Sequence, residues 1–232
     1  TPLPETPMTT LEQNWRQVLT RLQDAASRYG RPTPTLLAVS KTHPAAAIRT
    51  LFNLGQRAFG ESYWQEAQGK LAELADLPID WHFIGPLQSN KTRPIAEHFH
   101  WVHGVDRDKI ARRLSEQRPP HLPPLNICLQ VNLDGEASKS GVAPDDALAL
   151  ALTVKDLPRL QLRGLMCIPE PHDSIDAQRA TFARMGALLQ QLKDAGISGL
   201  DTLSMGMSDD MEAAVAEGST IVRVGTAIFG AR

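Results

Sequence analysis

"LLAVSKTHPAAAI", residues 36–48, sets an apolar run almost directly against a lysine, and a helical pattern opens at the proline that follows. Leu36, Leu37, Ala38 and Val39 form the short block of a strand buried on both faces, as parallel sheets require, and the segment from Pro44 onward reads as a helix with Pro in its first turn. Lys41 then stands at the carboxyl end of a strand, where parallel α/β folds gather their chemistry. Such a lysine is either a solvated loop residue or a reactive amine, and this stretch alone does not separate the two.

The same strand-then-helix unit recurs along the chain. "RAFGES" (57–62) leads to "WQEAQGKLAELA", and "DWHFIG" (80–85) and "HWVHGV" (100–105) follow, the latter leading to "DRDKIARRLSEQ". "PLNICLQVN" (124–132) precedes a loop and a helix opening at Pro144, and "RLQLRGLMCI" (159–168) precedes a long helix around 174–194. "LDTLS" (200–204) leads to "DDMEAAVAE", and "STIVRVG" (219–225) closes the pattern before a very short helix. Eight such units predict a single (β/α)8 barrel over residues 10–232, with an open doubly wound sheet as the alternative architecture. An extra helix precedes the first strand, because Leu11, Trp15, Val18, Leu19 and Leu22 recur at helical spacing. Residues 1–9, rich in Pro and Thr and without periodicity, are expected to form a disordered N-terminal segment.

Composition narrows the function classes. The chain has 232 residues, 42% of them hydrophobic, and a net charge of −2, which leaves no electrostatic footprint for nucleic acid or an anionic membrane surface. No apolar run is long enough to span a membrane. Cys128 and Cys167 lie in separate apolar segments and read as reduced core residues of a cytoplasmic protein. No metal site is expected, since no His-x-x-x-His or Cys-x-x-Cys pair occurs and His100 and His103 fall on opposite faces of a strand. His82, between Trp81 and Phe83, is read as an inward barrel histidine, either satisfied by a neighbour or acting as a proton donor.

A barrel places its active face at the strand ends, which here carry Lys41, Glu61 and Ser62, Asn132, Ser204 and Gly206, and Gly225 and Thr226. The last two loops, "LSMGMS" and "VGTAIFG", have the chemistry of a phosphate seat: glycines for close backbone approach and hydroxyls as donors. Ser208 is also a good N-cap for the helix after it, and Asp209 and Asp210 in that helix's first turn would repel an anion. The main anion seat is therefore expected at "GTAIFG", with Ser204 reaching in from the side. Arg223 shares a strand face with Ile221 and Gly225, away from water in a helix-covered barrel. A buried guanidinium needs a strong acceptor, which is either a barrel carboxylate or a ligand.

A lysine on the first strand, an anion seat at the last two and an inward arginine together suit pyridoxal 5'-phosphate (PLP). In fixed order, "AVSKTHP", "FGESYWQE", "WHFIGPLQSNK", "EASKSG", "GLMCIP", "LSMGMSDD" and "VRVGTAIFG" closely resemble the pyridoxal-phosphate homeostasis proteins, a family similar to the barrel domain of alanine racemase. The resemblance implies a Schiff base on Lys41, cofactor contacts from Ser62, Ser204, Gly206, Met207, Gly225 and Thr226, and Arg223 near the pyridine nitrogen. Two positions depart from the family pattern: Ser62 stands where asparagine is common, and His43 where many members carry a second lysine, so that amine's role does not carry over. Lys139 in "EASKSG" is either a solvated lysine or a cation aiding capture of a phosphorylated ligand. The implied function is a monomeric, cytoplasmic, non-enzymatic PLP carrier that takes part in PLP homeostasis and hands the cofactor to apo-enzymes. The alternative is a single-domain amino-acid racemase. The carrier reading rests on the expected absence of the racemase's second domain, with Tyr63 the one substitute for its tyrosine.

Overall fold

The apolar runs meet edge to edge until the sheet closes. The structure, a computed structural model, describes residues 7–135 and 140–231, so the expectations for residues 1–6 and for Lys139 lie outside the described residues. Eight strands pair in parallel in chain order: β1 (Thr35–Val39), β2 (Ala58–Glu61), β3 (Asp80–Phe83), β4 (Trp101–Val105), β5 (Leu125–Gln130), β6 (Leu160–Met166), β7 (Thr202–Ser204) and β8 (Ile221–Val224). β8 returns to β1, with Leu37 opposite Arg223 and Ala38 opposite Val224, which rules out the open sheet. The result is a TIM barrel.

Around it run α2 (Ala45–Leu54), α3 (Trp64–Glu73), α4 (Arg93–His98), α5 (Asp108–Gln117), α6 (Ala147–Val154), α7 (Ile175–Asp194), α8 (Met211–Ala216) and α9 (Thr226–Phe229). A 3₁₀ turn at Pro144–Asp146 precedes α6. The expected extra helix is α1 (Thr10–Arg28), capped by Thr9, whose hydroxyl accepts from Glu12 N at 3.2 Å. Two helix starts differ from expectation. Pro44 is the N-cap of α2, not a first-turn residue, because its ψ of 158° keeps it extended. Ser208 does not cap α8: the cap is Asp210, whose carboxylate folds back to accept from Met207 N at 2.7 Å.

Alternation along the strands divides the core. Leu37, Ala58 and Ile221 pack inside the barrel with Ile84 and Trp101, whereas Leu36, Ala38, Val222 and Val224 join the larger cluster beneath the helices. Because both faces are buried, the strands read as largely apolar runs, interrupted by inward polar residues such as His82, His103 and Arg223. Gly164 is required by close approach: a Cβ there would lie 1.8 Å from Thr202 O, so any side chain would part β6 from β7. Trp15 on α1 donates to Gln56 Oε1 at 2.9 Å, and Gln56 in turn donates to Leu36 O and Ala58 O, tying α1 to the first two strands. Cys128 and Cys167 are buried and unpaired, and burial pushes both thiols up to about 12, out of reach of thiolate chemistry. Among the described residues no helix is long and apolar enough to cross a membrane.

Candidate functional site

A cavity of about 760 Å³ opens at the carboxyl ends of the strands, lined among others by Gln130, Ile168, Met207, Arg223, Gly225 and Thr226. Arg223 enters it from below. The alternation that points Ile221 inward also points Arg223 inward, and the residue is only 4% exposed. Its guanidinium donates to Ser204 Oγ at 2.6 Å and to Cys167 O at 2.8 Å. Both partners are neutral, so of the two readings open for Arg223 the carboxylate ion pair is not what forms among the described residues. Burial pushes the guanidinium down from its ordinary value, while Asp210 at the cavity wall acts on it in the other direction. A buried cation without a carboxylate is costly unless an anion or a strong acceptor faces it.

Ser204 continues inward. His103 Nδ1 lies 2.8 Å from Ser204 Oγ, His103 Nε2 lies 2.8 Å from His82 Nδ1, and His82 Nε2 lies 3.1 Å from Asp80 Oδ2. The His82 ring stacks on Trp101 at 5.2 Å, and the Arg163 guanidinium sits 4.7 Å from the Trp101 ring centroid. His82 is thus the inward, satisfied histidine. Burial, with the Arg223 charge nearby, holds His103 well below the ordinary histidine value and therefore neutral.

Lys41 lies two residues beyond β1, half-buried, and among the described residues its ammonium has no hydrogen-bond or ion-pair partner. Lys70, one helix on, is the opposite case. Its ammonium donates to Glu61 at 2.9 and 3.1 Å, to Glu66 Oε1 at 2.7 Å and to Ser40 O at 2.8 Å, and Ser40 Oγ donates to Glu61 Oε2. Thr42 N donates to the same Glu66 carboxylate, which holds Thr42 at φ +69°, a region side chains seldom occupy. This cluster brackets Lys41 on both sides. His43 stacks on Phe229 of α9 at 4.7 Å, so the Lys41 turn also leans on the segment after β8.

The sequence-predicted residues therefore divide. Met207, Arg223, Gly225 and Thr226 line the cavity together. Lys41 and Ser62 are on the same barrel face but outside that lining, and Ser62 is buried with its backbone against Gly85. Ser204 is fully buried, its hydroxyl engaged by Arg223 and His103 instead of facing the cavity. Gly206, at φ +102°, serves a close approach to α8, since a Cβ there would meet the Ala214 methyl at 2.6 Å. Tyr63 is 57% exposed and also lies outside the lining. Sequence reasoning missed Asp80, Lys70 and Glu66; only the Glu66/Lys70 spacing of four on a helix was a local signal.

The family model described as "Alanine racemase, N-terminal domain" matches residues 9–232. The chain is similar to the pyridoxal phosphate homeostasis protein of Pseudomonas aeruginosa, 65% identical over 227 residues that cover 97% of each chain. Among solved structures it is similar to PipY of Synechococcus elongatus without PLP, at 41% identity and TM-score 0.84, covering 94% of this chain and 99% of that one. It is similar to the same protein with PLP bound at 43% identity and TM-score 0.81, covering 92% and 100%.

Proposed function

This chain belongs to the alanine racemase N-terminal-domain family and, within it, to the pyridoxal phosphate homeostasis proteins, and on that premise we propose that it is a PLP-holding barrel of residues 10–232, a monomeric cytoplasmic carrier that passes the cofactor to apo-enzymes. The observation that carries the reading is Arg223: a buried cation at the floor of a cavity, bonded only to neutral oxygens, with hydroxyl and backbone donors on the wall beside it. The residues fit the group. Thr226 begins α9, so its hydroxyl and the amides of Thr226 and Ala227 are available to a phosphate, whereas those of Ile228 and Phe229 already donate to Gly225 O. Arg223 can donate to the pyridine nitrogen, and a donor-only partner keeps that nitrogen unprotonated. When bound, the cofactor supplies an aldehyde that condenses reversibly with a primary amine. Lys41 is the amine for that link: β1 and β8 are paired neighbours, so Lys41 and Thr226 leave adjacent strands.

Ser62, Gly206 and Met207 shape the surrounding loops, and Met207 covers the rim with an exposed thioether side chain. A racemase needs a second acid-base group within about 2.6–3.2 Å of the substrate α-proton. Tyr63, the candidate, is 57% exposed at the surface, which supports the carrier over the catalyst. The loaded protein should restore activity to an apo PLP enzyme while leaving the α-proton of alanine unexchanged in deuterated water. Rapid exchange that disappears in Tyr63→Phe at unchanged cofactor occupancy would make the chain a racemase.

A further inference from the structure

The four contacts from Arg223 to Asp80 cross the barrel interior, and their two ends are chemically unlike. Arginine only donates and an ionised carboxylate only accepts, whereas the serine and the two histidines between them can each do both. We propose that this chain runs in one direction, Arg223 to Ser204 to His103 to His82 to Asp80, with both histidines neutral and protonated on Nε2, and that Ser204, His103 and His82 are positioning residues for Arg223. The functional half of the proposal rests on the reading that the cofactor ring meets Arg223.

The direction follows from satisfying every polar atom. Arg223 Nη1 donates to Ser204 Oγ at 2.6 Å, so the Ser204 proton is free to go to His103 Nδ1 at 2.8 Å. With Nδ1 accepting, His103 carries its proton on Nε2 and donates to His82 Nδ1, also at 2.8 Å. His82 then carries its own proton on Nε2 and donates to Asp80 at 3.1 Å. In the reverse arrangement His103 donates to Ser204, whose own proton has no acceptor in the chain, and neutral His82 turns a lone pair toward a carboxylate. Protonating His82 would relieve that second clash but adds a cation against Trp101, whose other neighbour is already the Arg163 guanidinium, and leaves Ser204 unsatisfied. Asp80 is the one half-exposed member; burial pushes its carboxyl up, but the His82 hydrogen bond together with the neighbouring basic groups, His100 and Arg163 among them, brings it below its ordinary value.

Two consequences distinguish this chain from a loose set of contacts. The Ser204 proton is committed to His103, so Ser204 does not donate to a phosphate. Arg223 is oriented by neutral hydrogen-bond partners, so among the described residues no carboxylate is bonded to it and its donors stay available to the cavity, where Asp210 of the wall acts on its charge.

The test has two arms. Long-range proton–nitrogen correlation spectra of the ¹⁵N-labelled, ligand-free protein should show His82 and His103 as neutral Nε2–H tautomers at neutral pH. An Nδ1–H tautomer or an imidazolium at either position overturns the direction. In the second arm, Ser204→Ala and His103→Leu are titrated with PLP and with pyridoxal, which lacks the phosphate. Each variant should weaken both compounds about equally, by ~10-fold for one lost charge-assisted constraint, and the double variant no more than either single one. A loss in Ser204→Ala confined to PLP would make Ser204 a phosphate ligand and refute the positioning role, as would unchanged affinity in both variants. A wild-type chain that takes neither compound refutes the cofactor reading instead, and the histidine spectra still decide the direction.

Discussion

Lys70 donates to two carboxylates and a carbonyl while 8% exposed, and Glu61, which it meets through both carboxylate oxygens, is fully buried. A pair so deep gains little over an apolar replacement, but breaking it by removing one partner strands a charge. Lys70→Met should therefore cost about 3–5 kcal/mol in urea unfolding, and adding Glu61→Leu should recover most of it. A cost below about 1 kcal/mol would mean that water or another cation takes the place of Lys70. The same cluster holds Ser40 and Thr42, so its loss frees the backbone on both sides of Lys41. At the anion seat, Thr226→Ala should lower PLP affinity by about 0.5–1.5 kcal/mol for one neutral hydrogen bond, or up to ~3 if the partner is charged, read by absorption titration. No loss would move the phosphate elsewhere. Arg223 was legible as an inward residue because strand alternation is local. Its partners were not, because Ser204 and Cys167 reach it from two other strands or their ends, and nothing in the neighbourhood of residue 223 encodes that meeting.

Among the elements, α1 shows how an added helix is joined to the barrel. Arg21 donates to Glu212 at 2.6 and 2.7 Å and to Ser208 O, so α1 grips the start of α8 and the turn that ends beside the cavity. The hydrogen bonds from Arg21 hold the Glu212 carboxyl below its ordinary 4.5. A depressed carboxyl stabilises the folded state above its unfolded value and loses that contribution as pH falls through the lower folded value. The difference in urea midpoint between wild type and Glu212→Gln should thus be present at pH 6, amount to at most ~1 kcal/mol for a part-exposed pair, and shrink below about pH 4.5. A pH-independent difference would assign the effect to packing alone. The strands themselves were legible to within a few residues, because burial on both faces writes them as apolar runs. Ser208 misled because a serine ahead of acidic residues is a sound local cap signal, and the Met207–Asp210 contact that displaced it depends on how β7 delivers the turn.

At the scale of the molecule, closure between β8 and β1 sets the lysine strand beside the strand that carries Arg223 and leads into Thr226. An open sheet of the same strands would leave Lys41 and Arg223 on opposite edges, so the cofactor reading depends on the barrel. That dependence explains why eight repeats, more than any motif taken singly, made the fold readable, and why the site was readable only in part. The elements that meet at the mouth come from both ends of the chain, and the chain from Arg223 to Asp80, which joins β8 and β7 to β4 and β3, exists only once the sheet has closed. The central claim is that Lys41 is the amine through which this barrel holds PLP. The most direct measurement is borohydride reduction of the PLP-loaded protein, followed by peptide mapping by mass. The account predicts a single pyridoxyl modification on the peptide containing Lys41, absent from Lys41→Ala; modification of a different lysine in the wild type, or undiminished labelling in Lys41→Ala, would contradict it.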